Sequence, residues 1–138
     1  MPLLPNRVTL AIALPVAAAL LLAGGFYADS KHEAVKLERK AEAMTGGNVD
    51  RGRLAYQQSG CGGCHALRGV PGAQGAVGPP LDGIAARAII GGRLENRPDN
   101  MILWIRHPQH VSPGTAMPEL GVTPPASRDI AAYLYTRT

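Results

Sequence analysis

The sequence predicts an all-α chain: about four short helices joined by long loops, preceded by one apolar N-terminal helix. Three observations predict it. No stretch alternates apolar with polar residues as a half-buried strand would, and the helical stretches after residue 47 are short. The 17 glycines and 12 prolines fall mostly in the middle, so much of the chain is loop. Only one Trp, four Tyr and one Phe are available, too few large rings to fill a core for 138 residues. Short helices around long loops are unstable by themselves, so a further body should occupy the middle.

The elements follow in order. After Arg7, the run Val8 to Phe26 (VTLAIALPVAAALLLAGGF) carries no charge. Nineteen residues at about 1.5 Å each reach roughly 28 Å, close to the hydrocarbon thickness of a bilayer. Pro15 does not exclude such a helix, since prolines occur in membrane spans. Arg7 and the amino terminus favour an N-in orientation, which places the remainder on the outer face. A cleaved signal peptide is the alternative, with small residues at Ala23-Gly24-Gly25. The apolar run is longer than a usual signal core and no lipobox cysteine follows, so residues 1–27 are read as a retained anchor. Ala28 to Ala43 alternates charge sign among helix formers, with Lys36 and Lys40 four apart, and His32 reads as a surface residue. Residues 28–47 are therefore a charged helical stalk, broken at Thr45-Gly46-Gly47-Asn48.

Residues 48–138 form the second domain. Val49 to Ser59 reads as a short helix with Asp50 near its start and Leu54 and Tyr56 as apolar anchors. Cys61-Gly62-Gly63-Cys64-His65 follows directly, and that spacing is the attachment signature of a c-type haem. Cys61 and Cys64 can each add across one vinyl group, and His65 is placed to reach the iron. A thioredoxin-like couple would sit in a βαβ pattern, which is absent. Zinc needs two more ligands, yet there is no third cysteine, and His32, His107 and His110 lack a zinc-finger spacing. A disulfide across two residues closes too small a loop to stabilise much. One motif implies one covalent haem c.

Arg68 to Pro80 is loop, and Leu81 to Ile90 holds a short helical piece. Asp99 or Asn100 caps a helix through Ile105 that Pro108 stops. Val111 to Thr123 is loop again, and Ser127 caps a last helix, Arg128 to Tyr135, with Ile130, Ala131 and Leu134 on its apolar side.

A six-coordinate iron needs a second axial ligand, and the candidates are Met101, Met117, His107 and His110. Met101 lies in an apolar helical stretch that core packing explains. His107 and His110 flank Pro108 as polar loop or helix-end residues. Met117 stands in the rigid loop Pro113-Gly114-Thr115-Ala116-Met117-Pro118, apart from any helical stripe, and is the favoured ligand. A thioether raises the potential by favouring reduced iron.

With these residues in place, residues 48–138 resemble the class I cytochrome c family. Four-helix cytochromes of the c-prime type carry the motif near the C-terminus and fit less well. The resemblance implies the class I cytochrome c fold, about four short helices wrapped around one covalent haem, here behind one transmembrane helix. It implies that Gly52 and Tyr56 on the first helix cross Ile130 and Tyr133 on the last. Gly78-Pro79-Pro80-Leu81 is similar to the family's Gly-Pro-x-Leu turn. Pro79 would then accept the Nδ1–H of His65, and Leu81 would pack on the haem face. Trp104 is similar to the tryptophan whose indole N–H reaches a propionate, with a plain core tryptophan as the alternative. Asn100 to Leu120 is most similar to cytochrome c domains attached to haem-copper oxidases and their membrane-anchored relatives.

The functional expectation is a non-enzymatic, single-pass electron carrier of a bacterial inner membrane, with its haem domain in the periplasm. Its partners would be a respiratory reductase or dehydrogenase upstream and a terminal oxidase downstream. A permanent haem c subunit of a larger complex is the alternative, and a haem enzyme or sensor with an open distal site is a weaker one. The formal charge of +4 comes with no basic run, which argues against nucleic acid as a partner.

Overall fold

The computed structural model describes residues 7–138. The chain divides into two compact units, Met1–Lys36 and Leu37–Thr138. Helix α1 runs Arg7–Thr45 with Pro15 inside it. In the first unit Ile12, Leu14, Leu20, Leu21, Leu22 and Phe26 of this helix are exposed. Residues 1–6 of the expected anchor lie outside the described residues. Among the described residues, no helix is long and apolar enough to cross a membrane.

The second unit begins with the last turns of α1. Thr45 ends the helix by donating its hydroxyl to the Ala41 carbonyl at 2.8 Å, and both residues are buried. Helix α2 (Val49–Gln58) follows, its Asn48 side chain accepting the Arg51 N–H at 3.0 Å as an N-cap. Val49, Gly52 and Tyr56 recur at helical spacing and are buried. Leu54 falls off that stripe and is 57% exposed, so it is not the anchor expected of it.

The domain is helical but not purely α. Strand β1 (His65–Ala66) pairs antiparallel with β2 (Gln74–Ala76), and β3 (Ile89–Ile90) with β4 (Leu94–Glu95). Strands of two or three residues are too short to display an alternating pattern in sequence. Within Leu81 to Ile90 the helical piece is a single 3-10 turn, Ile84–Ala86.

Helix α3 (Pro98–Arg106) starts one residue before the expected caps, with Arg97 as N-cap and Pro98 in the first turn. Proline is preorganised for that position, and Asp99 then complements the helix dipole instead of capping. Pro108 both stops α3 and starts the one-turn helix α4 (Pro108–Val111). Helix α5 (Pro124–Tyr135) also starts earlier than expected, capped by Thr123. Ser127 lies inside it, fully buried, its hydroxyl donating to the Pro124 carbonyl at 2.9 Å. Two prolines at the start of α5 extend it by a turn that apolar periodicity does not show.

Helices α2 and α5 cross at Gly52. A Cβ there would collide with the Asp129 carbonyl and stand 2.8 Å from Tyr133 Cβ. Beside the crossing, the Tyr56 and Tyr133 rings tilt at 58° with centroids 6.0 Å apart. Asp129, midway along α5, ties that helix to the start of α2: it accepts the Asn48 N–H at 2.7 Å and the Arg51 guanidinium at 2.9 Å. Burial pushes the Asp129 carboxyl up, but the hydrogen bonds from Arg51 and Asn48, with the Arg51 charge, hold it below its ordinary value.

Candidate functional site

The second unit encloses a cavity of about 390 Å³, and Cys61, Cys64, His65, Pro79, Leu81, Trp104 and Met117 all line it. Seven residues chosen from sequence therefore converge on one space. Helix α3 adds Met101 and Ile105, and α5 adds Ile130 and Leu134. Met101 and Ile130 are also buried core residues, in keeping with a packing role for Met101. His107 and His110 do not line the cavity.

The tight turn after α2 presents the cysteines. Gly60 adopts φ 72°, and a 3-10 turn (Cys61–Gly63) closes with the Cys64 N–H donating to the Cys61 carbonyl at 3.2 Å. Both thiols are free and partly buried, and burial pushes the Cys61 thiol up to about 11. Among the described residues, no group of three or more His, Cys, Asp or Glu could hold a metal ion.

His65 is oriented from three sides. Its Nδ1 lies 2.7 Å from the Pro79 carbonyl oxygen. A carbonyl only accepts, so the ring proton resides on Nδ1 and the Nε2 lone pair is left for a metal. The His65 backbone carbonyl accepts the Tyr56 hydroxyl at 3.2 Å. Gly78, whose N–H donates to the Cys64 carbonyl at 2.9 Å, lies against the imidazole. Any Cβ at Gly78 would run into the ring carbons and nitrogens of His65. The turn needs glycine for that close approach.

Leu81 is fixed by its N–H donating to the Ala66 carbonyl at 2.8 Å, so the Gly78–Leu81 turn folds back on β1. Trp104 is partly buried, and its six-membered ring lies against Gly91. Sequence reasoning missed two residues. Arg87 lines the cavity and donates to the Pro80 carbonyl and, at 3.2 Å, to the Asp82 carbonyl. Gln109 bonds the loop that carries Met117. Neither belongs to a motif or a periodic stripe, so the sequence offers no local signal for them.

The donor set fits a covalently held haem. Two thiols with one partly buried turn between them, an imidazole with Nε2 free, a thioether and an otherwise apolar lining meet at one cavity. A flat apolar macrocycle would supply the buried surface that so few aromatic side chains cannot.

A family model described as cytochrome c matches residues 49–138. Over 82 residues the chain is 35% identical to cytochrome c oxidase subunit 2 of Alkalihalophilus pseudofirmus, a match covering 59% of this chain and 23% of that protein. The chain thus spans about a quarter of that relative's length. No solved structure matches.

Proposed function

The chain belongs to the cytochrome c family and carries covalent haem c on Cys61 and Cys64, and from that premise we propose a membrane-tethered carrier of single electrons in a respiratory chain. When bound, the haem supplies a one-electron ferric/ferrous couple. The observation that carries the reading is that His65, aimed by Pro79, and Met117 line the same cavity. His65, with Nε2 free, and Met117, through its sulfur, would hold the iron of the bound haem. Pro79 and Gly78 keep the imidazole from turning, and the apolar lining excludes water. Ligands fixed in this way would limit rearrangement between the two oxidation states, which suits a carrier.

The anchor reading rests on the uncharged run Val8 to Phe26 and on Arg7 before it. It assigns the haem domain to the periplasmic face of a bacterial inner membrane. Tethering raises the effective concentration of the haem near its partners without tight docking. Likeness to an oxidase subunit supports a terminal oxidase as acceptor, with a reductase or dehydrogenase as donor. The same likeness favours a second reading, a permanent subunit of an oxidase complex, which copurification of an oxidase after mild detergent extraction would establish.

The ligand reading is tested by absorption spectroscopy of the oxidised protein. The parent should show the weak near-infrared sulfur-to-iron band, and Met117→Ala should abolish it. A parent without the band removes the carrier reading at its ligand. Membrane fractionation and intact mass test the anchor: a protein that washes off with high salt, or lacks residues 1–25, has none.

A further inference from the structure

The loop Pro113 to Pro118 has little means of holding itself. Its two prolines donate no N–H, and Gly114 takes a positive φ of 81°. Within it the Met117 N–H reaches only the Thr115 hydroxyl, at 3.5 Å. One side chain outside the loop makes up the deficit. The Gln109 amide Nε2 donates to the Thr115 carbonyl at 2.7 Å and to the Met117 carbonyl at 2.8 Å. Its Oε1 accepts the Gly114 N–H at 3.1 Å. Gln109 is anchored in turn by α4, and its own N–H donates to Glu119 at 3.2 Å, just beyond the loop. The amide spends both protons and an oxygen lone pair on residues 114, 115 and 117, holding the methionine's own carbonyl and the backbone that leads to it.

We propose that Gln109 is the positioning residue for Met117: its amide clamps the methionine loop in place and sets how readily the thioether gives way to another ligand. The proposal rests on Met117 being the axial ligand, and it adds that the loop's closure is held by Gln109 instead of by the iron–sulfur bond alone. Only a primary amide does this work. A carboxylate has no proton to give the two carbonyls, and an ammonium cannot accept from Gly114.

The test uses the full-length, detergent-solubilised holoprotein and imidazole as the competing ligand. Gln109→Met keeps the volume and removes all three bonds, whereas Gln109→Glu keeps an acceptor for Gly114 and loses the donors. Loss of two hydrogen bonds of ordinary net strength shifts loop opening about 30-fold and loss of three about 160-fold, so Gln109→Glu should bind imidazole about 30-fold and Gln109→Met about 160-fold more tightly than the parent. Their near-infrared band should weaken while the far-ultraviolet dichroism stays that of the parent. A parent without the band overturns the ligand reading and the clamp with it. A parent with the band, and variants with unchanged band and unchanged imidazole affinity, overturns the clamp alone. Failure of both variants to fold also overturns it, because a positioning residue is dispensable to the fold.

Discussion

Gly52→Ala puts the α2–α5 crossing to a quantitative test. Helix propensity by itself favours the change, since alanine in a helix interior is worth about 1 kcal/mol over glycine. Packing opposes it. The new Cβ would meet the carbonyl carbon and oxygen of Asp129 and Tyr133 Cβ, which no side-chain rotation can move aside. The two helices must separate, and overpacking of this kind costs about 1–3 kcal/mol. Separation also stretches the 2.7 Å bond from the Asn48 N–H to Asp129, a buried bond to a charged group worth about 1.5–3 kcal/mol. The Arg51–Asp129 pair adds little, because the Arg51 side chain is 66% exposed. The net expectation is a loss of about 2–4 kcal/mol, or roughly 10–25 °C in Tm for a domain of this size. Thermal unfolding of the full-length holoprotein, followed by far-ultraviolet dichroism, measures it. Leu54→Ala, on the exposed side of the same helix, is the control and should change stability by less than about 0.5 kcal/mol. A Gly52→Ala protein as stable as its parent would refute the reasoning, since propensity would then have outweighed a contact that was never tight.

Three further outcomes follow from single residues. The Asp129 carboxyl is held below its ordinary value in the folded state, so it contributes stability above about pH 4 that is lost as the pH falls through the folded value; Asp129→Asn should give a visibly shallower acid limb in Tm against pH. Gly78→Ala drives a methyl into the His65 ring and should displace the imidazole at a cost of about 1–3 kcal/mol, producing a high-spin fraction by electron paramagnetic resonance; an unchanged low-spin spectrum counts against the close approach. Tyr135, whose hydroxyl is pushed up to about 12 by burial, donates to Asn96 at 2.8 Å; Tyr135→Phe should cost about 1 kcal/mol in denaturant unfolding, and no loss would mean the bond contributes nothing net.

What could be read from sequence divides by the kind of signal. The covalent attachment site is local, five consecutive residues whose chemistry needs no fold, and Cys61, Cys64 and His65 appear where the motif puts them. Met117 stands out by exclusion, as a thioether in a loop that no helical stripe explains, and it lines the same cavity. Helix existence follows from composition, but helix starts do not: Pro98 and the Pro124-Pro125 pair open their helices one and three residues before the expected caps Asp99 and Ser127. At both places proline lies inside the first turn, where its fixed φ suits the helix although no apolar stripe marks it. The two ladders escaped notice because two residues carry no period. Leu54 shows the reverse error, an apolar residue assigned to the core although the buried stripe of α2 runs through Val49, Gly52 and Tyr56.

The remaining invisible part has one physical cause. The cavity walls are loops rich in glycine and proline, and a loop cannot satisfy its carbonyls with a ladder of its own. Long polar side chains therefore do the satisfying. Asn96 donates to the carbonyls of Ile84 and Arg87, both at 2.8 Å, Arg87 donates to those of Pro80 and Asp82, and Gln109 donates to those of Thr115 and Met117. Each is a single residue acting at short range across a turn, so none leaves a periodicity or a spacing to be found. A cavity that holds a haem gains rigidity from such bonds, because each fixes the backbone of the wall without occupying the space. The tolerance of loops for sequence change thus does not extend to these three positions. Replacement of an amide or guanidinium there removes two carbonyl partners at once.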